Sequence, residues 1–147
     1  MLHKIIVVCT GNICRSPIAE ALLRQQLSIE KIQVCSAGIA ALVHHPADPL
    51  ARTVALEHGL DISAHRAQQA TGALLTGMDL ILTLDQSHSD WIRIRFPQLT
   101  GRTHKLGRWR DNADVADPYG KPQKAFEHAY QHITLCTQEW AKRLAPG

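Results

Sequence analysis

The sequence predicts a single α/β domain whose parallel sheet is covered by helices on both faces, and three observations carry this. Short β-branched runs alternate with longer segments of helical period, the pattern of βαβ units. The first run, HKIIVVC at 3–9, is apolar without alternation, as a strand buried on both faces must be. At 147 residues and 45% hydrophobic content, the chain can bury one core and is too short for two ordinary ones. No repeat, low-complexity tract or linker-like stretch divides it, so residues 1–147 read as one domain.

After strand 3–9, Ser16-Pro17 opens a helix through IAEALLRQQL, with Ser16 as N-cap and Pro17 at the first helical position. KIQVCS at 31–36 is the second strand, closed by Ala37-Gly38. A helix within 47–58 stops at Gly59, and DLILTL at 79–84 is the third strand. A short helix within 87–95 ends at Phe96-Pro97, and THKL at 103–106 is a weaker fourth strand. The last helix, about 122–143, carries Phe126, Tyr130, Ile133, Trp140 and Leu144 at three- and four-residue steps or their multiples, a stripe for docking on a sheet.

Charged residues at 20% exclude a disordered chain, and 16 Lys and Arg against 13 Asp and Glu leave a formal charge of +3. That mild basicity suits an anionic ligand and falls short of a nucleic-acid binder. No apolar run approaches the roughly 18 residues of a membrane span. Ile5-Ile6-Val7-Val8 is too short for a signal-peptide core, so the expectation is a cytoplasmic protein without membrane insertion. Cys9, Cys14, Cys35 and Cys136 form neither a secreted disulfide framework nor a CxxC pair.

Between the first strand and helix lies Cys9-Thr10-Gly11-Asn12-Ile13-Cys14-Arg15-Ser16-Pro17. In an open α/β sheet, ligands bind beyond the carboxyl ends of strands. The amides from Thr10 to Ser16, with the helix N-terminus, make an anion site there. Gly11 is expected to supply the tight curvature. Five residues separate Cys9 from Arg15, enough to wrap a tetrahedral dianion between the sulfur and the guanidinium. The planar fork of Arg15 suits two oxygens at once. The same positive field favours a thiolate, making Cys9 the nucleophile. Ser16 is placed to donate to that sulfur. A structural cysteine before an ordinary turn would not need this combination, and neither GxxxxGK nor GxGxxG is present.

CTGNICRSP followed by IAEALL, with a later DPYG, resembles the low-molecular-weight protein tyrosine phosphatases. The resemblance continues in Ser36-Ala37-Gly38, in Ser63-Ala64-His65-Arg66-Ala67 and in DLILTLDQSH at 79–88, and so covers nearly the whole chain. It implies a four-stranded parallel sheet flanked by helices, and hydrolysis through a phosphocysteine without metal or cofactor. Asp117 of Asp117-Pro118-Tyr119 matches the family's general acid, which protonates the leaving oxygen and then activates water. Ahead of it, Asp114-Val115-Ala116 replaces the Glu-Ile-Pro of many relatives. The resemblance also implies a network of Asn12, Ser36 and His65 holding the loop open, and an acid, Asp85, ordering Arg15. Leu42 to His45 fall on the pocket rim by family position.

Tyr119 either walls the pocket or packs beneath the last helix. Ile13, apolar where phosphoarginine phosphatases of this kind tend to carry Thr, favours an aryl phosphate. Cys14 is either a small packing residue or the partner that captures an oxidised Cys9 as a disulfide. A thiol-dependent arsenate reductase on this scaffold is the alternative, but the close cysteine pair that chemistry uses near 80–90 is missing. HPADP at 45–49 and QEWAKRL at 138–144 resemble bacterial members that accompany tyrosine autokinases of capsule or exopolysaccharide export, which implies such a kinase's phosphotyrosine as partner. His128 and His132 read as a solvated helix face rather than a zinc site. The six Lys or Arg from Arg93 to Arg110, with no acid among them, read as a solvated face before a docking surface for an acidic segment.

Overall fold

The computed structural model describes residues 2–27 and 30–144. Four parallel strands, β1 (Lys4–Cys9), β2 (Gln33–Gly38), β3 (Leu80–Thr83) and β4 (Thr103–Lys105), lie in the order β2-β1-β3-β4. The helices are α1 (Arg15–Gln26), α2 (Pro49–Glu57), α3 (Gly72–Thr76), α4 (Gln86–Arg95) and α5 (Gln123–Leu144). A 3-10 helix spans Pro97–Arg102. The expected α/β architecture is present, and the chain reverses direction across the sheet beside β1. Its carboxyl end is therefore a topological switch point, where a crevice opens.

β1 is buried on both faces because alternate residues feed two cores. Ile5 and Val7 meet Val34, Leu82, Ile18 and Leu22 of α1, and Phe126, Ile133 and Trp140 of α5. Ile6 and Val8 meet Ile81, Leu75 of α3, Ile92 of α4 and Leu99. The α5 stripe is as expected, and the Trp140 indole donates to the Leu106 carbonyl at 2.9 Å, pinning the helix across the end of β4. Tyr130 packs in this core and stacks on His58 with ring centroids 4.4 Å apart.

Three expectations are corrected. Helix α1 starts at Arg15 with Cys14 at the N-cap and no side-chain cap, so Ser16 is not the cap. Its hydroxyl is held by Cys9 and Asn12 instead. Strand β2 runs on to Gly38, because Gly38 pairs with Cys9 across the sheet. Helix α3 and the 3-10 helix went unread. The five residues of α3 hang on one side-chain cap, from Thr71 to the Leu74 amide, too short for periodicity to register.

Candidate active site

The loop leaving β1 curls over the strand end so that Cys9, 2% exposed, lies at the bottom of a cavity of about 190 Å³. Thr10, Ile13, Cys14, Arg15, Leu42, Asp117 and Tyr119 are among its walls. The expected catalytic residues are thus brought together. The Ser16 hydroxyl is 2.8 Å from the Cys9 sulfur, and with a thiolate there the hydroxyl must be the donor.

The left-handed turn of the loop falls on Asn12 (φ 58°) rather than Gly11, whose extra Cβ would make only an ordinary 3.5 Å contact with Ile13. Asn12 is fully buried, and hydrogen bonds hold it in that conformation. The Gln68 amide donates to its Oδ1 at 2.9 Å, which fixes the orientation of the carboxamide. Nδ2 then donates to Ser16 at 2.8 Å and to Ser36 at 2.9 Å. The His65 ring holds the Asn12 carbonyl at 2.6 Å. Ser36 passes its own hydrogen to Glu20 at 2.7 Å. A hydrogen-bonded chain therefore runs from a carboxylate on α1 to the sulfur. Asn12, Ser36 and His65 were expected here, whereas Glu20 was missed. It follows Ser16 by one helical turn, on the face that points at the loop, and that spacing was the signal.

The glycine against which this loop packs is Gly38. A Cβ there would collide with the Thr10 carbonyl and come within 2.9 Å of the Asn12 nitrogen. The loop packs flat on the end of β2, with Ile39 donating to the Cys9 carbonyl and Leu42 to that of Gly11.

Arg15 is 2% exposed and divides its guanidinium. Nη1 donates to Asp85 at 2.8 Å and to the Val115 carbonyl at 2.7 Å, while Nη2 stands 3.6 Å from Asp117 Oδ2. The contact to Val115 is through its backbone, so the unusual side chains of Asp114-Val115-Ala116 leave the arginine's anchor intact. Burial pushes the Asp85 carboxyl up, but hydrogen bonds from Ser87 and Arg15 and the fields of His88 and Arg15 outweigh it, bringing it down to about 2. Burial pushes the Cys14 thiol far up, reinforced by Asp48, Cys9 and Asp117 against Arg15, so Cys14 is a protonated wall of the cavity. Asp117 Oδ1 accepts the Tyr119 amide at 3.0 Å, leaving Oδ2 toward the cavity's cation.

Tyr119 is 58% exposed and lines the cavity, so it is a wall and does not pack under α5. Leu42 joins it on the rim and Ile13 lies deeper. Among the described residues no group of three or more His, Cys, Asp or Glu is placed to hold a metal ion, and His128 and His132 form none. Three of the six basic residues of the 93–110 stretch pair with acids. Arg93 faces Asp90, Lys105 faces Asp114 and Arg110 faces Glu139, the last at 2.7 Å.

A buried thiol, an arginine and a carboxylate thus share the walls of one cavity, an arrangement able to hold a tetrahedral oxyanion over the sulfur. With the fold, this points to the class of the phosphatases, here with the cavity at the switch point of a parallel sheet. Residues 4–146 match the family described as low molecular weight phosphotyrosine protein phosphatase. The chain belongs to this family and is a protein-tyrosine-phosphatase. Over 144 residues it is 49% identical to a Ralstonia nicotianae protein named "Probable low molecular weight protein-tyrosine-phosphatase EpsP", covering 98% of this chain and 97% of that one. Low molecular weight protein-tyrosine-phosphatase Etp of Escherichia coli is 43% identical over 143 residues, 97% of this chain and 95% of its own. The structure of Vibrio vulnificus Wzb in complex with benzylphosphonate superposes with a TM-score of 0.92 at 41% identity, covering 98% and 100% of the two chains.

Proposed function

We propose that the chain hydrolyses phosphotyrosine in two steps through a phosphocysteine on Cys9. The thiolate attacks phosphorus, the S–P bond forms, and the bond to the tyrosyl oxygen breaks as Asp117 delivers its proton to that oxygen. Water then attacks the phosphocysteine, Asp117 takes the water's proton, and the S–P bond breaks to release inorganic phosphate. The free donors of Arg15 and the loop amides hold the phosphoryl oxygens throughout. The observation that carries this reading is the position of Cys9 at the bottom of a 190 Å³ cavity whose walls include Arg15 and Asp117. The apolar Ile13 and Leu42 and the ring of Tyr119 favour an aryl ester over an alkyl one. The partner is a phosphotyrosine protein in the cytoplasm, a bacterial tyrosine autokinase of exopolysaccharide or capsule production. That assignment rests on HPADP, QEWAKRL and the relatives' likeness.

Turnover on phosphotyrosine, phosphoserine and phosphoarginine peptides, with arsenate reduction measured alongside, is the direct test. Phosphotyrosine is expected to be preferred at least 100-fold, with Cys9→Ser inactive. Preference for phosphoarginine, thiol-dependent arsenate reduction, or hydrolysis by Cys9→Ser would each reject the reading.

A further inference from the structure

His88 is a buried histidine, fully bonded, with no part in the steps above. It has no exposure to solvent and lies in the first turn of α4. Its Nδ1 accepts the backbone N–H of Asp85 at 3.2 Å, closing a capping box in which the Asp85 carboxylate accepts the Ser87 and His88 amides. An amide can only donate, so this nitrogen carries no hydrogen. The longer approach of Nδ1 to Asp85 Oδ1, 3.5 Å, is to an oxygen already accepting the Ser87 amide and hydroxyl. The ring is neutral as well: burial pulls it down to about 4, and Arg15 acts the same way against the attraction of Asp85.

A neutral ring bare at Nδ1 holds its proton at Nε2. Nε2 lies 2.9 Å from the Thr10 hydroxyl oxygen. The histidine is therefore the donor and Thr10 the acceptor, which leaves the Thr10 hydroxyl hydrogen to be placed elsewhere. Among the described residues that hydroxyl has no second hydrogen bond within the chain, and Thr10 lines the cavity above Cys9. We propose that His88 is a positioning residue which, by donating to Thr10, turns the threonine hydroxyl into a hydrogen-bond donor to an oxygen of the phosphate ester in the catalytic cavity. One capping box thereby serves both sides of the cradle: Asp85 holds Arg15, and His88 sets Thr10.

The inference rests on the phosphatase reading of the cavity, so inorganic phosphate as a competitive inhibitor is the probe. Asn at position 88 keeps an oxygen near the place of Nδ1 and so keeps the cap, but it is too short to reach Thr10. Gln spaces its Oε1 and Nε2 much as the ring spaces its nitrogens and can serve both partners. His88→Asn and Thr10→Val are each expected to raise the inhibition constant about ten-fold, the effect of one hydrogen bond to a charged group. Thr10→Ser, His88→Gln and the double variant of His88→Asn with Thr10→Val test the direction of the effect. The first two are expected within about two-fold of wild type, and the double no weaker than Thr10→Val alone. Losses that multiply in the double variant would show that His88 acts only through the helix cap, and equal binding by Thr10→Val and Thr10→Ser would remove the hydroxyl; either overturns the proposal. Wild-type enzyme indifferent to phosphate would overturn the phosphatase reading itself.

Discussion

Arg15 commits one nitrogen, Nη1, to two acceptors of the protein, and its Nη2 stands 3.6 Å from Asp117. With Nη1 fixed between Asp85 and the Val115 carbonyl, the remaining donors have a direction before anything binds. Lysine could not do this, because a single ammonium cannot hold two acceptors behind it and two oxygens in front with a planar fork's geometry. Asp117 depends on that arginine differently, across 3.6 Å and half in solvent, as would suit the proposed acid, which has to change protonation in each half-reaction. Asp117→Asn is expected to slow phenyl phosphate about 100-fold or more and esters of acidic phenols far less. Plotting kcat against leaving-group basicity checks this, and an equal loss along the series removes Asp117 as the acid. Cys9 and Arg15 stood out in the sequence because an anion-binding loop with a nucleophile needs those side chains at that spacing, whereas Asp117 was singled out only by the likeness of Asp117-Pro118-Tyr119 to the family's motif. Glu20 and His88 were not, since a carboxylate on a helix and a histidine in a first turn look like ordinary surface and cap residues until the fold shows what they touch.

At the scale of elements, the loop from Cys9 to Arg15 is shaped by its neighbours as much as by its own residues. Helix α1 begins early, at Arg15, because Ser16 is drawn into the network around Asn12, and the Asn12 turn survives only under its surrounding hydrogen bonds. The end of β2 supplies the flat surface beneath. Gly38→Ala is expected to destabilise the fold by about 1–3 kcal/mol through overpacking and to lower kcat/KM at least ten-fold, since the displaced atoms belong to Thr10 and Asn12. Urea unfolding together with kinetics on a phosphotyrosine peptide measures both, and unaltered activity would contradict this packing. The strands and long helices were legible from apolar runs and periodicity. The contact that makes Gly38 necessary lies between segments far apart in sequence, and no local pattern reports it.

For the whole molecule, the same polar cluster governs the response to acid. The folded protein holds His88 near 4 against an ordinary 6.5, so between those values the unfolded chain binds more protons. Stability therefore falls as pH drops from about 6.5 to 4. Asp85, lowered from 3.8 to about 2, adds a second loss of the same sign below that range. Urea midpoints measured from pH 7 to pH 3 are expected to decline in these two stages. His88→Gln is expected to flatten the first while leaving the second, and an unchanged slope would place the acid lability elsewhere.

The anchoring of Arg15 also bears on how quickly a ligand is taken in. Its guanidinium is tied to Asp85 and to the Val115 carbonyl, and the Val115 amide to the Leu84 carbonyl, so under the proposed function an arriving oxyanion would meet donors that need little further ordering. On that proposal, variants of this chain that differ in affinity for the anion are expected to differ chiefly in how long it stays.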